Sequence, residues 1–234
     1  MNIAKILTGM TLAAAVAVPV TAQEPTRGFM VERGSVAAQG AASVDLYTGG
    51  GYSGGAVRLG LGNGELVLNS GKVVSGLGIN TSEAVFKLGL SNLNGMSEMK
   101  HSLAVYGGVS VLDVDGGASY TNLMVGAAFT ADMNSLLLSI APEFIIDDAN
   151  DDNYLDVGLS AHLKMAKTQY GTFQPGIEVV ATTADNKDTL VAVGVRWEYN
   201  DRLTLDIVPL QIGNAWGQED TISLPGQMRL NARF

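Results

Sequence analysis

Apolar side chains alternate with small or polar ones in segment after segment of this 234-residue chain, and that period leaves few ways to fold. Between residues 154 and 165, Leu155, Val157, Leu159, Ala161, Leu163 and Met165 fall on one face. Asp156, Gly158, Ser160, His162 and Lys164 fall on the other. Residues 123–131, 173–181 and 191–199 repeat the pattern. A period of two belongs to a β-strand, whose successive side chains point to opposite faces. The series predicts an all-β, antiparallel barrel over residues 43–234. Its twelve strands lie near 43–48, 54–62, 65–70, 83–92, 101–112, 120–131, 135–146, 154–165, 171–182, 189–199, 203–212 and 225–234. Ten strands remain open, because residues 50–80 are Gly-rich and ambiguous.

Alternation alone does not say which face is outside, since a soluble lipocalin-like barrel has the same period with its apolar face inward. The polar face decides. It is mostly Gly, Ala, Ser and Thr with isolated charges, which suits a crowded lumen better than a water-facing surface. Charged residues make up 16% of the chain, against about 25% in soluble domains. Beyond residue 22 no apolar stretch is long enough for a spanning helix, so a membrane would be crossed by strands. Short connections at 200–202, 132–134, 166–169 and Asn63-Gly64 alternate with longer acidic ones at 213–221, 183–188, 147–153 and 113–119. Such asymmetry separates the two ends of a membrane barrel. The stretch 93–100 breaks it, being long on the short-turn side. Aromatics Tyr170, Phe173, Trp197, Tyr199 and Phe234 gather near the short turns, with Phe144 and Tyr154 at the opposite rim, as an interfacial girdle requires. Aromatic content is nevertheless only 6%. Pro142, Pro175 and Pro209 fall inside expected strands and are tolerable only at bulges or ends.

The chain closes on Met228-Arg229-Leu230-Asn231-Ala232-Arg233-Phe234, which alternates up to a terminal aromatic carboxylate. Residues 1–22 read as a removable signal peptide, with Lys5 before an apolar run and Val20-Thr21-Ala22 at its end. In these features the chain resembles the outer-membrane β-barrel proteins of Gram-negative bacteria. The resemblance implies an outer-membrane location and Phe234 as part of the signal read by the barrel assembly machinery. It also implies outer-membrane lipids and lipopolysaccharide as surroundings. It names no activity. Residues 23–42 show little pattern and fit a tail, a plug or the start of the first strand.

The chemistry on offer is sparse. There is no Cys, which removes disulfides, thiolate metal sites and Cys nucleophiles. Asp and Glu number 23 against 14 Lys and Arg, a balance unsuited to nucleic acid. His162 shares its face with Ser160 and Asp156, but neighbours two apart on one strand lack the geometry of a triad; His101 lies at a strand start. No catalytic residue, cofactor or metal centre is expected. The loop at 147–153 copies the first spacings of a calcium loop through Asp148, Asn150 and Asp152. Its twelfth position is Leu159, where a bidentate Glu is needed. The glycines of residues 49–55 open no helix and form no phosphate cradle.

The inward face is expected to carry Arg58, Lys87, Glu143, Asp156, His162, Lys164, Glu178, Arg196, Glu198, Asp206, Arg229 and Arg233. Both signs occur, so they pair and narrow the lumen. Monomeric twelve-stranded porins for acidic oligosaccharides, which the chain resembles in length and strand number, line their pores with basic tracks instead. The expected function is a small non-enzymatic barrel, either a narrow channel for small solutes or a structural envelope barrel. An oligosaccharide-specific porin and, further off, a lipid-modifying or proteolytic barrel enzyme are the alternatives.

Overall fold

A computed structural model describes residues 26–49, 51–73, 78–92, 100–148, 152–185, 187–213, 222–223 and 226–234. The leader at 1–22 lies outside them, as do the stretch 93–99 and the centre of the acidic loop. Thirteen strand segments follow in order: β1 Ala42–Gly49, β2 Tyr52–Gly60, β3 Gly64–Val73, β4 Ile79–Asn92, β5 Lys100–Val114, β6 Ser119–Asp132, β7 Leu136–Asp147, β8 Asp152–Leu163, β9 Thr172–Thr182, β10 Leu190–Asn200, β11 Leu203–Ile212, β12 Ile222–Ser223 and β13 Gln227–Arg233. β12 and β13 both pair with β11 and form one interrupted stave. Each stave is antiparallel to its neighbours, and β1 pairs with β13 from Ser43↔Arg233 to Thr48↔Met228, so the sheet closes as a twelve-stranded barrel. The Gly-rich region resolves into β2 and β3.

Closure removes the open edges that would otherwise invite aggregation. Its last hydrogen bonds join Phe234 N to Ala42 O at 2.8 Å and Ala42 N to Phe234 O at 3.2 Å. Phe234 and the outward Met228 and Leu230 are about two-fifths exposed on one face. Deleting Phe234 removes both seam bonds and the outward ring. We expect less membrane-inserted, heat-modifiable protein with export unimpaired, and normal insertion would refute the role.

The apolar face points out. Leu46, Phe86, Leu123, Val125, Ile140, Leu155, Leu159, Ile177, Val193 and Ile207 are large and exposed, a surface far larger than the isolated apolar patches water tolerates. Hydrocarbon suits it. At the short-turn end Trp197 stacks on Phe173 with ring centroids 6.1 Å apart and meets Tyr199 edge-on at 5.6 Å. Tyr154 does not join an outer girdle as expected. It is 4% exposed, packs with Ile145 and Ala184, and has the Lys187 ammonium over its ring.

The prolines sit where the ladder spares them. Pro209 lies at the register shift between Val193↔Leu210 and Val195↔Ile207. Pro142 lies in the gap between Gly126↔Glu143 and Phe129↔Ile140. Pairing of β9 with β8 ends at Gly176, so no β8 carbonyl waits for the N–H that Pro175 lacks.

Candidate functional site: the occupied lumen

Eight-stranded barrels are filled by their own side chains, whereas sixteen strands leave an aqueous channel. Twelve strands leave room, and here the chain fills part of it with residues 26–41. These run from inside the barrel to its short-turn rim, where Gly40 N donates to Gly60 O and Gly60 N to Ala41 O. Inside, they make a tight turn. Gly28 N donates to Val31 O at 2.7 Å and Arg33 N to Thr26 O at 3.0 Å, and Arg27 bridges Glu32. Phe29, Val31 and Arg33 are 1–2% exposed.

A turn of so few residues cannot satisfy its own peptide groups. The wall satisfies them. One carboxylate, Glu178 on β9, accepts the N–H of Phe29 at 2.6 Å, of Met30 at 2.6 Å and of Val31 at 2.8 Å. It also meets His162 Nε2 at 2.7 Å. On the other side of the turn, Arg229 donates to Gly28 O at 3.0 Å and Phe29 O at 2.7 Å, and Arg196 donates to Gly28 O at 3.2 Å. The approach is so close that a Cβ on Gly28 would lie 2.0 Å from Glu178 Oε1. Phe29 packs on the His162 ring at 4.7 Å.

A second cluster holds the neighbouring residues. Arg58 meets Glu65 at 2.7 Å, Glu32 at 3.1 Å and Asp45 at 3.4 Å, while Lys87 reaches Glu32 at 3.0 Å and Thr26 O at 3.1 Å. Burial alone would raise the pKa of Glu32, but the charges of Arg58, Lys87 and Arg27 outweigh it and hold the carboxyl well below the usual range. Glu65 Oε2 accepts Ala37 N at 2.7 Å, and Gly34 N donates to Thr130 Oγ1 at 2.9 Å. Much of the wall around the turn is small, Ala128, Ala141 and Ala192 being buried and Gly158 such that a Cβ would lie 3.0 Å from Val31, while Tyr106 packs with Val31.

The remaining inward residues divide by depth. Arg196 forms a bidentate pair with Asp206, Nε to Oδ1 at 2.7 Å and Nη2 to Oδ2 at 2.8 Å. The two are brought opposite each other by a bulge at Tyr199 beside a turn narrower than the 200–202 expected, since Asn200 pairs with Leu203. Lys164 pairs with Asp132 at 2.6 Å, Arg233 donates to Thr204 Oγ1 at 2.8 Å, and the half-buried Glu198 faces Thr204 across the ladder. Glu143 and Asp156 are direct cross-strand partners toward the long-loop end. With Glu83 they line a cavity of about 190 Å³ floored by Arg27, Glu32, Arg58 and Lys87. A neighbouring cavity of about 140 Å³ is bounded by Tyr47, Tyr52, Asn69 and Arg229.

The structure joins His162 to Glu178 and buries it fully, rather than linking it to Ser160 and Asp156 as an accessible set. Among the described residues no cluster of three or more His, Asp or Glu could hold a metal ion. Of the loop ligands considered above, Asn150 and the Asp152 side chain lie outside the described set. Sequence reasoning missed Glu32, Asp45 and Glu65. Asp45 was within reach, since it shares a strand face with Ser43 and Tyr47.

No family model matches the chain, and no curated protein matches it in sequence. Solved structures resemble it, two of them KdgM porins. One is a KdgM porin, with a TM-score of 0.55, 12% identity, and coverage of 83% of this chain and 98% of that one. The other is a KdgM porin in complex with disordered oligogalacturonate, with a TM-score of 0.51, 12% identity and coverage of 82% and 96%. At such identity the likeness speaks to fold, and the fold is that of a twelve-stranded barrel.

Proposed function

We propose that the chain is a small, non-enzymatic, porin-like barrel of the outer membrane whose lumen is a narrow channel for small solutes. Its apolar exterior lies in outer-membrane lipid and lipopolysaccharide, its short turns face the periplasm, and the barrel assembly machinery reads its Phe234 end. The observation that carries the reading is the seating of residues 26–34 in the periplasmic half, with separate cavities left on the loop side. Most charges of that half are paired, Arg58 with Glu65, Lys87 with Glu32 and Arg196 with Asp206, so their fields largely cancel at the distances a permeating ion would feel.

Purified protein in planar bilayers is therefore expected to give small unitary currents with weak ion selectivity. Large currents with strong anion selectivity would contradict this and support an oligosaccharide porin, the reading favoured by the fold likeness to a porin in complex with oligogalacturonate. Against an acidic sugar stand Glu83, Glu143 and Asp156 in the loop-side cavity, with Arg58 and Lys87 already ion-paired beneath them. An enzyme is disfavoured because His162, the best general base available, is wholly buried against Glu178.

A further inference from the structure

We infer that residues 26–34 form a displaceable plug, with the Glu178 carboxylate as its latch. The segment is not part of the barrel's ladder: every stave finds its neighbours without it. It is held instead by polar contacts: hydrogen bonds to its peptide groups, from Glu178 on one side and Arg196 and Arg229 on the other, and the ion pairs of Glu32 with Arg58 and Lys87. Water takes over the freed peptide groups on withdrawal, at a net cost of about 1 kcal/mol per neutral hydrogen bond and more where the lost partner is charged, as Glu178 is. Only Phe29, Met30 and Val31 bring apolar contact, against Tyr106, Ala128, Ala141, Ala192 and Val208, with Val85 and Val180 alongside.

The wall is prepared for the segment's departure as well as for its presence. Arg196 keeps its bidentate Asp206, and Arg58 keeps Glu65 and Asp45, when the turn leaves. Apart from Tyr106 and Val208, the side chains packed on its apolar tip are small, so withdrawal leaves space in the lumen that the wall does not itself fill. A permanent core would be closed by large side chains from the wall itself. Glu178 is the point of control because one side chain holds three successive N–H groups. Charge-assisted bonds to a carboxylate are about twice as strong as neutral ones.

The test uses a natural advantage, the absence of any cysteine. A Val31→Cys variant places a thiol at a site 2% exposed, so its reaction with a bulky water-soluble maleimide reports withdrawal. Adding Glu178→Ala should speed labelling about tenfold, equivalent to roughly 1.4 kcal/mol in the seating equilibrium. It should also raise the mean bilayer current severalfold. The pair Val31→Cys with Gly158→Cys is placed to lock the plug. The Cβ position of Gly158 lies 3.0 Å from both Val31 Cγ atoms, about the distance from a disulfide sulfur to the opposite Cβ given an S–S bond of ~2.05 Å. Oxidation should hold the current at its lower level even with Glu178→Ala, and dithiothreitol should release it.

Equal slow labelling with and without Glu178→Ala, together with identical currents from oxidised and reduced pairs, overturns the plug while leaving the channel reading intact. Faster labelling with no current from any variant supports the plug and overturns the channel. Should Glu178→Ala fail to insert, as judged by heat-modifiable migration, the comparison of oxidised with reduced double-cysteine protein decides by itself.

Discussion

Valine at position 34 will drive the lumen segment off the wall. A Cβ on Gly34 would lie 2.2 Å from Ser102 O and 2.8 Å from Ala128 O, both main-chain atoms. Ser102 pairs with Thr130, and Ala128 with Ala104, in an unbroken β5–β6 ladder, so neither oxygen can retreat without opening the barrel. The segment must yield, and with it the bond from Gly34 N to Thr130 Oγ1. Arg33, 1% exposed in the seated state, then becomes available to trypsin. Cleavage after Arg33 in detergent-solubilised Gly34→Val should be at least about tenfold faster than in the parent, a shift of roughly 1.4 kcal/mol or more in seating. Gly34→Ala should fall between. Unchanged cleavage would mean that the wall accommodates the branch.

Breaking the Arg196–Asp206 pair from one side only should produce the largest loss of stability in the barrel. Both side chains are almost wholly buried, at 2% and 3% exposure. Removing one partner of such a pair leaves an uncompensated charge at a cost of about 3–5 kcal/mol. Arg196→Ala additionally removes a donor from Gly28 O. Asp206→Ala leaves the guanidinium close to Arg229 with less to balance it. The double substitution removes both charges, so its cost should fall short of the sum by on the order of 2 kcal/mol, within the range for contacting residues. Unfolding midpoints in detergent for the two single variants and the double variant give that coupling directly, and purely additive effects would dispose of the pair as an energetic unit.

The barrel was legible because its information is local and periodic. Alternation separated lipid face from lumen face and put Arg196 and Asp206 on the same inner face. A three-residue turn at 200–202 would set Tyr199 opposite Leu203, whereas the chain turns at Asp201-Arg202 and a bulge at Tyr199 brings Arg196 opposite Asp206. The ambiguous residues 50–80 supply β2 and β3, but the hairpin between them turns at Gly62-Asn63 rather than Asn63-Gly64: Leu61 N donates to Gly64 O, and Glu65, placed in a strand from the sequence, pairs with Gly60 and turns into the lumen. The lumen segment was illegible for the opposite reason. Residues 26–34 have no period, and the groups that bind the backbone of residues 28–31 come from strands 147 to 201 positions away. No window along the chain contains both the turn and Glu178. Its only local marks are Gly28 and Gly34, whose necessity appears when the carboxylate and the Ser102 carbonyl are seen against them.

The seam between β1 and β13 carries one of the segment's own clamps, and this ties insertion to proofreading. β13 closes the barrel against β1, and Arg229 on it binds the Gly28 and Phe29 carbonyls. A β13 that slipped by two residues along β1 would keep its apolar side chains toward lipid, because faces repeat every second residue. The outer surface would register no fault. Yet the slip would carry Arg229 about 6.8 Å along the strand, out of reach of both carbonyls. The lumen segment thus serves as a gauge laid against the closing stave, sensitive to the alignment error that the hydrophobic pattern leaves unpunished.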